Sequence, residues 1–61
     1  MSTEDKETLK KKLYEVIGSV VDIEEFRPDS ISEKEDAEIN NFILSVHDSI
    51  TTLTNYFKID I

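Results

Sequence analysis

Three observations predict an all-α fold, an antiparallel helical hairpin. Two stretches of the chain carry apolar residues at helical spacing, one proline falls between them, and a capping-box pattern opens the second. The first series is Leu9, Leu13, Val16, Val20 and Ile23, widened by Ile17. The second is Ile39, Ile43, Val46, Ile50, Leu53 and Phe57. Alternating steps of 4 and 3 keep each series on one face of its helix, and a seam that regular needs another helix beside it.

The first helix is expected over about residues 3–21. Ser2 or Thr3 can accept from the free amides of its first turn, where Glu4, Asp5 and Glu7 suit the positive end of the helix dipole. Gly18 costs about 1 kcal/mol relative to alanine inside a helix. It is therefore expected either to allow a close helix crossing or to end the helix early. Residues 22–32 form the connection, because Pro28 disfavours helical geometry at Arg27 and lacks a backbone donor. Ile23, Phe26 and Ile31 are too apolar for a solvated loop and are expected to fold back over one end of the core.

Ser32-Glu33-Lys34-Glu35 marks the second helix, expected over about residues 33–57 and followed by a short tail. Ser30 with Glu33 offers the same pattern two residues earlier. A small α+β fold is the alternative. Ser19 to Ile23 and Tyr56 to Ile61 are β-branched or alternating in character, which would make short strands near 19–24 and 56–61. Thr51, Thr52 and Thr54 also weaken helix propensity. The heptad spacing runs the whole length of both segments and favours the hairpin.

Sixty-one residues make a single domain, and one this small buries only about 60% of its unfolded surface. With no cysteine and His47 as the sole histidine, disulfides and Cys-based zinc sites do not reinforce it. Packing and association remain. The hairpin is expected to be completed to a four-helix bundle, by dimerisation or by docking on a partner. The opening MSTEDKETLKKK is polar and mixed in charge, unlike a signal peptide. No apolar run approaches the ~18 residues of a membrane span. A soluble, cytoplasmic protein without membrane contact is the expectation.

Charge is unevenly placed. The net charge is −7, and residues 22–38 hold eight acids against Arg27 and Lys34. Affinity for nucleic acid depends on cations that displace counterions from phosphate, so direct binding is not expected. Lys10-Lys11-Lys12, flanked by Glu7 and Glu15, reads as a solvated helix face with i,i+4 ion pairs. Between Ile39 and Phe57 only Asp48 is charged. Small uncharged side chains desolvate cheaply at a contact, whereas an unpaired lysine or glutamate does not. Phe42 and Tyr56 widen the apolar stripe on one side, and Leu44 lies on the other flank. One partner helix cannot cover that arc.

The expected interaction residues are therefore Phe42, Leu44, Val46, His47, Ile50, Leu53, Tyr56 and Phe57. The partner is a second copy or another protein, and the role is that of a regulator, adaptor, inhibitor or assembly factor. No enzymatic activity, cofactor or metal is expected. An alternative function uses the acidic surface of Glu24, Glu25, Asp29, Glu33, Glu35, Asp36 and Glu38. Carboxylates there would mimic phosphates and block a nucleic-acid-binding protein. These acids do not form an EF-hand, which needs a central glycine and alternating oxygen ligands.

Two local resemblances bear on chemistry. His47-Asp48 resembles the phosphoacceptor helix of histidine kinases and related phosphotransferases, which would imply phosphotransfer through His47. The Arg and Pro that follow in that family are replaced here by Ile50-Thr51-Thr52, so this is a remote alternative. LYEVIGSVVDIEEFRPDSIS resembles the first helix and loop of acyl carrier proteins. That family carries its phosphopantetheine on an Asp-Ser-Leu at the start of the second helix. Asp29-Ser30-Ile31 comes too early for that motif and Asp48-Ser49-Ile50 too late, so no prosthetic group is implied.

Overall fold

The Ser2 hydroxyl accepts the Asp5 amide at 3.0 Å, and a helix begins immediately after it. A computed structural model describes the whole chain, Met1–Ile61, as two helices and no strands. α1 is Thr3–Glu25 and α2 is Glu33–Phe57. They run antiparallel. Thr3, Lys6 and Lys10 share a cleft with Lys58 and Ile59 at one end, while Arg27 bonds Asn40 at the other.

α1 runs four residues past its expected end at 21. Gly18 neither breaks it nor brings the helices close: a Cβ added there would meet nothing within 4 Å. Burial of Val20, only 3% exposed, lies just beyond the glycine and offsets its cost. Nothing from Val21 to Glu25 resists the helix, so it continues until Pro28 constrains the residue before it. Phe26 then turns extended, its amide donating to Ile23 O at 3.1 Å.

The stretch near 19–24, a strand in the alternative α+β reading, is thus helix as the hairpin requires, with the Ser19 hydroxyl donating to Glu15 O at 3.2 Å in the i,i−4 pattern. The strand near 56–61 of that alternative is absent as well. Lys58 takes a left-handed conformation at φ 56°, and Ile59 N–H donates back to Thr54 O at 2.9 Å. That pair of turns satisfies the Thr54 and Asn55 carbonyls in the last turn of α2 and leaves no second strand with which the tail could pair. Ile59 is half-buried beside α1.

The core is thin. Only Leu13, Val20 and Ile43 are buried. On α2 the seam is the expected one, with Ile39, Val46, Ile50, Leu53 and Phe57 half-buried around Ile43. On α1 it is rotated. Ile17 lies with Leu13 and Val20, while Val16 and Ile23 are left exposed.

The turn end differs from expectation too. Ile31 is half-buried, but Phe26 is 63% exposed and does not close the core. A polar network closes it instead. Arg27 Nε meets Asp36 Oδ1 at 2.6 Å and its Nη2 donates to Asn40 Oδ1 at 2.9 Å. Its Nη1 donates to the carbonyls of Phe26 at 2.7 Å and Ile23 at 3.2 Å. α1 has no basic residue in its last turn, so this guanidinium supplies the cation its negative end lacks. The planar fork reaches both helices at once, which a lysine ammonium cannot do.

Two stability outcomes follow. Gly18→Ala should raise the thermal midpoint by roughly 3–6 °C, since it improves propensity without a clash. Arg27→Lys should cost about 1 kcal/mol in urea denaturation, a value discounted for the solvent exposure of the pair. An unchanged midpoint for Arg27→Lys would mean the network is not holding the turn.

Candidate interaction face

Because α1 meets α2 along its rotated seam, Val16 stands beside the α2 flank that carries Phe42. The two helices do not close over this side. They leave an open groove of about 340 Å³ lined by Leu13, Val16, Phe42, Ser45, Val46, Ser49, Ile50 and Leu53. Val16, Phe42 and Val46 continue into a second concavity of about 520 Å³, with Ser19, Val20 and Ile23 toward the turn and Lys12 and Glu15 at its rim. Ser49 and Leu53 continue into a third, of about 350 Å³, that reaches Tyr56 and has Asp48 and Thr52 in its wall. The result is one open face running along most of the hairpin, apolar at its centre and increasingly polar toward either end. No charged residue lines its central part.

Of the residues expected to act together, Phe42, Val46, Ile50 and Leu53 line the central groove, and Tyr56 extends it. Phe42 is 50% exposed and Tyr56 78%. Phe57 is half-buried, its ring meeting Tyr56 edge-on with centroids 4.8 Å apart. Leu44, 66% exposed, stands with His47 three residues on, across the helix from Phe42. The set is therefore divided between two flanks. Sequence reasoning missed the α1 wall of Leu13 and Val16, and the small floor residues Ser45 and Ser49. The signal for the serines was present, since both fall on the Phe42 side of the seam.

The acidic residues are placed differently from one another. Glu24, Glu25, Asp29, Glu33 and Glu38 are exposed around the turn. Asp36 is half-buried against Arg27, and its Oδ2 accepts from Asn40 Nδ2 at 3.4 Å. Glu35 completes the capping box: its Oε1 accepts the Ser32 amide at 3.0 Å, while the Ser32 hydroxyl accepts the Glu35 amide at 3.2 Å. Two of the seven carboxylates are thus engaged within the fold. The backbone amide of Ser32, and after it the Ser32 side chain, hold the Glu35 carboxyl below its ordinary pKa. No group of three or more His, Cys, Asp or Glu is arranged to hold a metal ion. No helix is long and apolar enough to cross a membrane.

No protein-family model, curated protein or solved structure matches the chain.

The capping box has a pH signature. A carboxyl whose pKa is depressed on folding stabilises the fold fully above its unfolded pKa, and this is lost as pH falls through the folded value. Glu35→Gln should be less stable than wild type near neutrality, and the gap should narrow as pH falls through that window. Thermal melts of both proteins across the acidic range read this directly. A gap constant with pH would mean the carboxylate charge is not what the cap uses.

Proposed function

We propose that the chain is a small protein–protein interaction module that works through the open groove, as a regulator, adaptor, inhibitor or assembly factor rather than an enzyme. The observation that carries this reading is the groove itself: apolar side chains of both helices stand open along one face while the hairpin buries only three residues. Covering such a face removes apolar area from water at about 25 cal/mol per Å². Phe42 and Tyr56 are the anchors, since exposed aromatics at the centre and edge of a groove dominate many interfaces. Docked there, the helices of a partner complete a four-helix bundle. The protein acts in the cytoplasm.

The test is the size of the species the chain forms in extract of the cells it comes from, by size exclusion. Wild type should elute in an assembly larger than its 7.1 kDa mass. Phe42→Ser with Tyr56→Ser should elute as the free chain. Leu44→Ser, an equally exposed apolar residue on the opposite flank, should leave the assembly intact and so controls for general loss of apolar surface. Glu33→Lys with Glu38→Lys should also spare it. If charge reversal dissolves the assembly and the groove variant keeps it, the acidic turn is the working surface and phosphate mimicry replaces this reading.

A further inference from the structure

We infer that a second copy of this chain covers the groove, lying antiparallel to the first about a two-fold axis that passes near Ser49. The inference rests on reading the groove as a docking face, and three observations choose the occupant and its direction.

The first is area. The hairpin exposes 4902 Å². A compact monomer of its 7.1 kDa mass exposes about 4,100 Å². The excess, about 800 Å², matches the roughly 800 Å² that each partner contributes to a standard specific interface. One further copy burying a standard interface brings the exposed area of each chain down to that of a compact chain of its own mass.

The second is pattern. Phe42, Ser49 and Tyr56 are spaced by seven residues and lie in line along one side of α2, large, small, large. Such an order is unchanged by reversal. In a two-fold pairing the same patch must complement itself. With Ser49 at the axis the backbones approach over the small residue. Phe42 of one copy then lies over the partner's Tyr56, and the reverse contact repeats on the other side.

The third is charge. Residues 22–38 at the turn end carry a net −6 of the chain's −7. The other half of the hairpin balances Lys6, Lys10, Lys11, Lys12 and Lys58 against Glu4, Asp5, Glu7, Glu15, Asp48 and Asp60, a net −1. A parallel pairing sets the two acidic turns side by side. The antiparallel pairing separates them by at least the 47 Å length of one hairpin, several Debye lengths at physiological salt, and sets each beside the partner's nearly neutral half.

The experiment combines mass with an end-to-end distance on the purified chain. Sedimentation equilibrium at low and high salt should give twice 7.1 kDa. The chain has no cysteine, so Ser30→Cys, in the exposed turn, carries a single nitroxide label. Pulsed dipolar spectroscopy should then report a separation of about 50–55 Å, twice the rise from the turn to an axis at Ser49 at about 1.5 Å per residue. Ser49→Glu puts two like charges at the axis without altering a buried residue, and should weaken the dimer on the order of a hundredfold.

A dimer whose turn labels lie within about the 17 Å width of the hairpin is parallel and overturns the inference. So does a Ser49→Glu protein that dimerises like wild type. A monomer at every concentration overturns it too. In that case the groove remains a docking face if the larger assembly in extract is still lost with Phe42 and Tyr56, and both readings fail if it is not.

Discussion

Two helices share one seam, and one seam covers an apolar stripe little more than 100° wide on each of them. The apolar arc of α2 is about twice that. Phe42 and Leu44 flank Ile43 on either side, and at about 100° per residue they stand some 200° apart. Ile43 is buried by α1, and its two neighbours cannot be. The thin core, the open groove and the exposure of Phe42 and Tyr56 all follow from that mismatch between the arc and the single helix available to cover it. From Ile39 to Phe57 only Asp48 is charged, so small uncharged polar side chains fill much of the circumference of α2 outside its apolar arc.

The two ends of the hairpin are held by different physics. At the turn, Arg27 draws together the closing carbonyls of α1 and the Asp36–Asn40 pair of α2, while Ser32 and Glu35 satisfy the opening amides of α2. These are polar contacts at a partly exposed site, and they specify the path of the chain more than they add to the core. At the open end Lys58 adopts a left-handed conformation that costs a lysine roughly 1–2 kcal/mol. The turn persists because it satisfies carbonyls of α2 and brings Ile59 back beside α1. The strongest electrostatic feature of the molecule, its acidic turn, is in part a by-product of capping. Acids crowd where the positive end of α2 stabilises them.

The local devices of the fold were legible in the residues. Ser32 and Glu35 at the right separation form a capping box in almost any context, and Pro28 forbids helix just before it whatever else surrounds it. The uncharged run of α2, with Asp48 its one charge, could be read without reference to coordinates. The end of α1 was not legible, because Gly18 and Val20 pull in opposite directions and only the burial of Val20 in the folded hairpin shows which wins. Arg27 was not legible either. Its partners lie nine and thirteen positions away, and no periodicity links a loop cation to an acid and an amide on the next helix.

The sequence alone therefore determined two helices, the break between them, the caps at Ser2 and Ser32, and a second helix unsuited to lie wholly in solvent. Each of these is set by interactions within a few residues of the chain. Only the tertiary structure decided whether Ile17 or Val16 turns inward. Adjacent positions of a 4-3 pattern are equally eligible, and the choice belongs to the angle at which α2 crosses. That choice left Val16 free to form the wall opposite Phe42. It also set Phe42 and Tyr56 on the groove and Leu44 and His47 on the other flank, dividing a group of residues that composition alone had made one.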